Sequence, residues 1–339
     1  MGHTAQGLTV SRTEVRAILC TALGDIETLA LVDLPEPSLP PGCVRIAVKA
    51  AGLNFADTLM IAGKYQDRLT PPFVPGLEIA GIVLEVAEGV TTCRPGDRVM
   101  ALLDHGGFAE QAVARELDVM VLPAAITFAV AASFAISYGT SYFGLVDRAR
   151  LQNGETMLVH GSASGVGLTA VEIGAALGAT VIATAGGAEK LAVAKSRGAT
   201  HLVDSRAEDV RARVKELTGG RGVDVVFDPV GGALFDASLR CTAPDGRILL
   251  IGFASGQVPQ IPANHLLVKN ITTIGFWFGA YRTLAPHRFR AALQDCLALT
   301  TEGKLRPLVS AQRPIEEAKS ALQAIRDRKV TGKTVLLMD

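Results

Sequence analysis

An α/β fold is predicted for this chain, with a doubly wound parallel sheet in its second half and a separate β-rich part before it. Three observations support this prediction. Strand and helix patterns alternate regularly from residue 157 to about residue 277, as the layers of such a sheet require. Residues 157–170 read as a strand, a tight turn of small residues and the start of a helix. Short β runs between Pro and Gly clusters occupy residues 16–103.

Length and composition limit the classes of protein to which this chain can belong. The 339 residues are enough for two domains, and 49% apolar against 19% charged residues allow a large buried core. The 33 basic residues balance the 33 acidic ones and no basic block occurs, so nucleic-acid binding has no electrostatic support. The five cysteines are scattered without a C-x-x-C pair, which favours a reducing cytoplasm and argues against a disulfide framework or a structural zinc.

One charge-free stretch, residues 119–146, is long enough to raise the question of a membrane span. It contains Pro123, Gly139 and Gly144 and has no Lys or Arg bias at either end, so we predict a buried helix of a soluble enzyme. The polar N-terminus lacks the apolar core of a signal peptide. Residues 1–14 carry no clear pattern, and we expect them to be flexible.

The first part of the chain predicts a partly closed antiparallel β-domain. Short strands between strong turns are typical of such a domain. The β runs are residues 17–20, 44–49, 79–86 and 98–103, and turns rich in Pro and Gly lie at 35–41, 71–72, 75–76 and 95–97.

The second part predicts a Rossmann-type sheet, because six parallel strands with crossover helices are the Rossmann count. The first strand begins at Met157, and the others are predicted at 180–184, 201–203, 223–228, 247–252 and 271–277. Helices are predicted at 166–177, 188–197, about 207–218 and after Gly232. The tail adds helices at 287–301 and 315–327, and a strand at 334–338 that we expect to return to the first part. The predicted domains are residues 129–278 and, joined in space, residues 1–128 with 279–339.

The turn after the first of these strands is a candidate phosphate site. Residues 162–167 read Ser-Ala-Ser-Gly-Val-Gly, which keeps only the last glycine of G-x-G-x-x-G. On spacing alone, dinucleotide binding and an ordinary tight turn are equally supported. The strand–helix alternation that follows favours dinucleotide binding, because a helix N-terminus at such a turn attracts phosphate.

The end of the next strand favours NADPH over NADH. An NAD site usually has an acidic residue here for the ribose 2′-hydroxyl, and residues 181–187 contain none. Lys190 follows and is a candidate ligand of a 2′-phosphate; the alternative is a solvated residue at the start of a helix. Glu189 beside it is interpreted as favourable charge at that helix start.

Several motifs, taken in order, resemble one family. They lie at residues 51–57, 63–65, 75–81, 95–99, 138–140, 159–167 and 331–333. Over residues 16–338 the chain resembles the medium-chain dehydrogenases/reductases and, within them, the zinc-free quinone oxidoreductase (zeta-crystallin-like) branch. The resemblance implies that the first part is a GroES-like catalytic domain, a partly closed β-barrel, beside the Rossmann domain.

Departures from the zinc alcohol dehydrogenases of the same superfamily predict a site without metal. Those enzymes have a cysteine ligand at the position of Asn54 and a histidine ligand at that of Leu77. They often carry a cysteine-rich zinc lobe, whereas residues 102–110 here contain no cysteine. Because a catalytic zinc needs three suitable protein ligands, we expect no metal.

The resemblance implies catalytic roles for Asn54, Tyr65 and Asp57. Asn54 would donate a hydrogen bond to a quinone or carbonyl oxygen, and Tyr65 would bond the cofactor or shape the acceptor pocket. The residues alone also allow a turn or cap residue at Asn54 and a loop-orienting or helix-capping role for Asp57. No residue stands out as a dedicated general acid, so we expect the proton to come from solvent.

The resemblance also implies cofactor contacts, most of them at strand ends, where ligands of open α/β sheets bind. Arg328 would be a second 2′-phosphate contact, with a plain surface charge as the alternative. Residues 276–278 either line the nicotinamide side or join the core, and we expect core burial for at least two of them. The full predicted set is Thr140, Ala163, Ser164, Gly165, Val166, Gly186, Lys190, Ser205, Ile251, Gly252, Phe253, Phe276, Trp277, Phe278 and Arg328.

These predictions combine into one leading function, an NADPH-dependent, metal-free reductase that passes hydride to a quinone. A second hypothesis is reduction of α,β-unsaturated carbonyls, including enoyl or acryloyl thioesters, on the same fold. A third is an NADPH-binding protein with a structural or regulatory role. The resemblance and an apolar edge strand at 271–277 predict a homodimer. We expect a cytoplasmic protein with neither a membrane nor a nucleic-acid partner.

Overall fold

The structure, a computed structural model, describes residues 14–338. The expectation of a flexible start therefore lies outside the described residues, apart from Glu14, which begins the first strand.

The first part of the described chain is β-rich and mainly antiparallel, as predicted. Its elements are β1 (Glu14–Cys20), β2 (Leu29–Pro35), β3 (Cys43–Gly52), α1 (Phe55–Ile61), β4 (Glu78–Val86), β5 (Arg98–Leu102), β6 (Gln111–Arg115) and β7 (Val119–Val121). β3 pairs with β4 and β6, β4 with β5, and β5 with β7, while β1 and β2 pair with each other. Buried and partly exposed residues alternate along most of β3, which is the pattern of a strand with one face on a core.

The second part forms a parallel sheet, which confirms the predicted Rossmann arrangement. Its elements are α2 (Phe128–Ala132), α3 (Ala135–Phe143), β8 (Thr156–Val159), α4 (Gly165–Ala176), β9 (Thr180–Ala185), α5 (Ala188–Ser196), β10 (His201–Asp204), α6 (Val210–Leu217), β11 (Val223–Asp228), α7 (Ala233–Cys241), β12 (Thr242–Leu250), α8 (Ala263–Lys269) and β13 (Thr272–Gly275). The strands pair in the order β10-β9-β8-β11-β12-β13, all parallel. The order reverses between β8 and β11, and ligands of such sheets bind at this switch point.

The tail returns to the first part, as predicted. After α9 (Tyr281–Leu284) and α10 (Pro286–Thr301) come β14 (Val309–Pro314), α11 (Ala318–Arg326) and β15 (Lys333–Leu337). β15 pairs antiparallel with β3 and parallel with β14. The resulting sheet has the order β14-β15-β3-β4-β5-β7, with β6 also on β3. The domain boundaries at 128/129 and 278/279 stay a prediction.

The charge-free stretch 119–146 is not a single buried helix, and that prediction is wrong. It contains β7, α2 and α3. The two helices part at Ser133, whose hydroxyl donates to the carbonyl oxygen of Val130 at 2.8 Å and so competes with helix continuation. Most of α3 is buried, as expected. Within residues 14–338, no helix is both long and apolar enough to cross a membrane.

Candidate cofactor and acceptor site

The turn after β8 holds the start of α4 at the carboxyl edge of the parallel sheet. A Cβ on Gly167 would lie 2.1 Å from the carbonyl oxygen of Gly161, so the last glycine of the sequence pattern is required for this close approach. The Ser164 hydroxyl caps α4 by accepting a hydrogen bond from the backbone N–H of Gly167 at 3.3 Å. Ser164 is exposed, Gly165 and Val166 are partly exposed, and Ala163 is buried. A helix start presented in this way suits a phosphate group.

Three cationic side chains gather at the ends of β9 and β10. The Lys190 ammonium donates to the backbone carbonyl oxygen of Arg328 at 2.7 Å. A Cβ on Gly186 would lie 2.5 Å from Nε of Arg206, so this guanidinium packs directly over the turn. Burial, followed by repulsion from Arg206 and Arg328, lowers the pKa of Lys190. Cations held this close to one another favour an anion among them.

The Asp204 carboxylate, at the end of β10, accepts hydrogen bonds from the backbone of this turn. Oδ1 of Asp204 accepts the N–H of Arg206 at 2.9 Å and that of Gly187 at 3.2 Å. These bonds, the one from Arg206 first, lower the pKa of Asp204. Ser205 lies beside it and donates its backbone N–H to Ala185 at 3.0 Å. Asp204 therefore positions the turn that carries Gly186 and Gly187.

The loop after β12 closes the other side of the same edge. Ile251, Gly252 and Phe253 follow β12 directly, and Phe253 is half-exposed. The Arg328 guanidinium donates to the carbonyl oxygen of Ala254 in this loop. Thr140 lies on α3, which packs against α4, and is almost buried. Arg328 thus joins the β12 loop to the group of three cations.

Of the aromatic run 276–278, two residues join the core, as predicted. Phe276 and Phe278 are buried against Phe143, with ring centroids 5.8 Å and 5.9 Å away. Trp277 remains 36% exposed, and its indole N–H donates to the Tyr65 hydroxyl at 3.3 Å. The two rings meet edge to face at 6.4 Å. Burial is the main cause that raises the pKa of Tyr65, so its hydroxyl is neutral at physiological pH.

Asn54 lies at the start of α1, with its amide held at both ends. Its Oδ1 accepts a hydrogen bond from the Lys333 ammonium at 2.7 Å. Its Nδ2 donates to Oε1 of Glu78 at 2.9 Å and approaches the carbonyl oxygen of Gly52 only to 3.5 Å. That second contact is at the limit of a hydrogen bond, so one N–H of Asn54 remains suited to an acceptor oxygen.

Asp57 is wholly buried in the first turn of α1. Its Oδ2 accepts the backbone N–H of Asn54 at 2.7 Å, the helix-capping role that the sequence allowed. Oδ1 has no hydrogen-bond partner among residues 14–338. Burial raises the pKa of Asp57 to about 7, while Lys333 opposes the shift and Glu78 adds to it. In this geometry Asp57 orients Asn54 through the backbone N–H of that residue.

The predicted residues thus fall into a set at the edge of the parallel sheet, a Tyr65–Trp277 pair, and Asn54 with its neighbour Asp57. Sequence reasoning missed Arg206, Lys333 and Glu78. The motifs at 75–81 and 331–333 contained the last two, but a buried Lys–Glu pair leaves no periodic signal. Leu77, which was predicted to supply no metal ligand, is buried. Within residues 14–338, no group of three His, Cys, Asp or Glu side chains is arranged to hold a metal ion.

Comparisons with known proteins match both parts of the chain. The alcohol dehydrogenase GroES-like domain matches residues 40–124, and the zinc-binding dehydrogenase domain matches residues 165–298. The quinone oxidoreductase-like protein 2 homolog of Nematostella vectensis is 40% identical, over 96% of this chain and 89% of its own length.

Solved structures agree with this match. The Escherichia coli quinone oxidoreductase complexed with NADPH superposes with a TM-score of 0.89 at 30% identity, covering 95% of this chain and 100% of that one. A Pseudomonas syringae quinone oxidoreductase gives a TM-score of 0.90 at 31% identity, over 96% and 100% of the two chains.

Proposed function

The chain belongs to the zinc-free quinone oxidoreductase branch of the medium-chain dehydrogenase/reductase superfamily, and we propose that it is an NADPH-dependent reductase that delivers hydride to a quinone without a metal. The group formed by Lys190, Arg206 and Arg328 carries the cofactor part of this proposal. It lies where a dinucleotide fold recognises the adenosine ribose, and the chain has no acidic residue at the end of β9. The NADPH complex of the Escherichia coli relative supports the same cofactor.

The residues that would hold NADPH occupy successive parts of the sheet edge. The capped start of α4 suits the pyrophosphate, and the three cations suit the 2′-phosphate. Phe253 and its neighbours would border the nicotinamide half. Bound NADPH supplies a hydride from its nicotinamide ring. The protein's own contribution is to bind it, orient it and exclude water from the cleft.

The three side chains proposed for the acceptor side are uncharged, and two of them are aromatic. The N–H of Asn54 that makes only the long contact with the Gly52 carbonyl oxygen would donate to a quinone oxygen, and the Tyr65–Trp277 pair would border a flat ring. Asn54 and Leu77 supply no zinc ligand, which favours direct hydride transfer over a zinc alkoxide. The names of the relatives, quinone oxidoreductase and quinone oxidoreductase-like protein, support a quinone as the acceptor.

The test is NADPH oxidation by the purified, metal-chelated protein against a panel of simple quinones and enoyl thioesters, with NADH as the control. Quinone-dependent oxidation selective for NADPH is the expected result. Oxidation with thioesters alone would move the function to enoyl reduction on the same fold and cofactor. Bound NADPH with no oxidation across the panel would leave a nucleotide-binding protein of structural or regulatory role.

We further propose that the protein is a homodimer joined at the β13 edge. The open edge of β13 lies next in the chain to α8, on which Leu267 and Val268 are 78% and 77% exposed. Apolar side chains beside an open sheet edge are stabilised by pairing with a second copy. Sedimentation equilibrium at micromolar concentration is expected to give twice the chain mass, and a monomer would contradict the proposal.

A further inference from the structure

Lys333 is a buried cation, and all three of its N–H donors are in hydrogen bonds. It opens β15 and is only 6% exposed. Its Nζ donates to the carbonyl oxygen of Leu53 at 2.8 Å, to Oδ1 of Asn54 at 2.7 Å and to Oε1 of Glu78 at 2.7 Å. An ammonium has three N–H donors, so each has a partner and the direction of each is fixed.

Glu78 completes this arrangement from the neighbouring strand. It is wholly buried on β4. Besides the Lys333 ammonium, its Oε1 accepts an N–H of Asn54 at 2.9 Å, and its Oε2 accepts the backbone N–H of Ile136 at 2.9 Å, near the start of α3. A buried ion pair is weak evidence for stability, because the desolvation of both charges offsets their attraction. The bonds to Asn54 therefore indicate that the pair positions the Asn54 side chain.

Asn54 is held by both members of the pair. Lys333 binds its carbonyl oxygen and Glu78 binds its amide nitrogen, so the pair fixes which end of the amide points in which direction. Exchanging the two ends of the amide would set two donors against each other at Lys333 and two acceptors against each other at Glu78. The N–H that remains for an acceptor then has one direction only.

The same lysine reaches the cofactor turn. The backbone N–H of Gly332 donates to the carbonyl oxygen of Ala163 at 2.9 Å. A Cβ on Gly165, the first residue of α4, would lie 3.2 Å from Cδ of Lys333. The lysine stem therefore lies against the proposed pyrophosphate turn, while its ammonium holds Asn54.

We propose that Lys333 is a positioning residue that fixes the Asn54 amide relative to the cofactor-binding turn. This inference rests on the proposed function, since Asn54 is the acceptor-side donor there. Misplacement of a reacting group by about 1 Å costs roughly a hundredfold in rate. Removal of Lys333 is therefore expected to lower acceptor turnover while NADPH binding is largely kept.

The test uses the variant Glu78→Gln/Lys333→Met, which removes both charges together so that no buried charge is left alone. Glu302→Gln/Lys304→Met is the matched control, because this pair is 2.9 Å apart but 60% and 54% exposed in its lysine and glutamate side chains. The first readout needs no activity. Asparagine occurs only at Asn54, Asn153, Asn264 and Asn270, so selective ¹⁵N-asparagine labelling gives four side-chain amides. Asn54→Ala identifies the one from Asn54.

Solvent exchange of the Asn54 side-chain amide is expected to be at least about tenfold faster in the buried-pair variant than in wild type or the control. The second readout is a double-mutant cycle on quinone turnover. If Lys333 acts through Asn54, Asn54→Ala adds no further loss of kcat/KM in the buried-pair variant. An unchanged Asn54 amide, or fully additive losses in the cycle, would overturn the inference.

Two further measurements distinguish failure of this inference from a folding defect and from failure of the proposed function. Should the buried-pair variant fail to fold, Lys333→Arg keeps the charge but not the three-oxygen geometry. It is expected to shift the Asn54 amide at an unchanged Tm, and an unshifted amide would overturn the inference. If wild type reduces neither acceptor, the proposed function fails, and the amide exchange alone decides the role of Lys333.

Discussion

Replacing Lys190 with alanine tests the cofactor assignment at its most specific contact. The Lys190 ammonium is held by the Arg328 carbonyl oxygen at 2.7 Å, and Arg206 and Arg328 lower its pKa after burial does. Three like charges held together are stabilised when a phosphate binds, because each then gains a counter-charge. NADH lacks the 2′-phosphate and gains nothing from them.

The magnitude follows from the exposure of this contact. A charge-assisted hydrogen bond contributes about 1.5–3 kcal/mol where it is well buried. Lys190 is only partly buried, so solvent screening reduces this to about 1–2 kcal/mol. The expected loss is therefore about five- to thirtyfold in NADPH affinity, at roughly 1.4 kcal/mol per factor of ten. The Kd for NADH is expected to change by less than about twofold.

The assay is titration of the protein with each nucleotide, followed by nucleotide fluorescence at low and moderate salt. Lys195→Ala is the control, because Lys195 lies on the same helix, is exposed and, within the described part of the chain, donates only to the Thr200 carbonyl oxygen. The difference between NADPH and NADH is expected to shrink with salt, as screening predicts. Equal losses for the two nucleotides, or none for NADPH, would refute the assignment of this group of cations to the 2′-phosphate.

Three further predictions concern the acceptor side. Tyr65→Phe is expected to keep quinone turnover within about tenfold, since solvent supplies the proton; lost turnover with intact NADPH binding would contradict this. Trp277 is the single tryptophan of the chain, so its fluorescence is expected to respond to a quinone, and an unchanged spectrum under saturating quinone would exclude it from the acceptor border. Burial raises the pKa of Asp57 from 3.8 to about 7, so between these values the folded state keeps a proton that the unfolded state has released. The free energy of unfolding then falls as pH rises through this interval, by about 1.4 kcal/mol per pH unit. Asp57→Asn is expected to remove this dependence in urea unfolding at pH 5 and pH 8, and parallel curves for variant and wild type would show that Asp57 does not titrate there.

Much of the fold could be predicted because its signals are local. The central strands of the parallel sheet are short apolar runs that become buried on both faces, as in β8 and β9. The last strand was predictable as a strand, and its return to the first part of the chain was expected from the helices before it; its pairing with β3 came only from the structure. The break between α2 and α3 was not predictable from hydrophobicity, because a single serine hydroxyl at Ser133 sets it.

The candidate site was harder to predict, because its decisive contacts join distant segments. Lys190 was found from the missing acid before it, but Arg206 reaches the same turn only through the pairing of β10 with β9. Lys333 lies 279 residues from Asn54 along the chain. The complete burial of Asp57 depends on the packing of the whole first part. Such contacts have no sequence period.

The central claim is direct hydride transfer from NADPH to a quinone without a metal. Its most direct test is single-turnover oxidation of NADPH deuterated at nicotinamide C4, with metal-chelated protein, a simple quinone and correction for the uncatalysed reaction. We predict a quinone-dependent rate that deuterium slows and chelation leaves unchanged. A rate that disappears on chelation and returns with zinc, or one equally fast with NADH, would contradict the account.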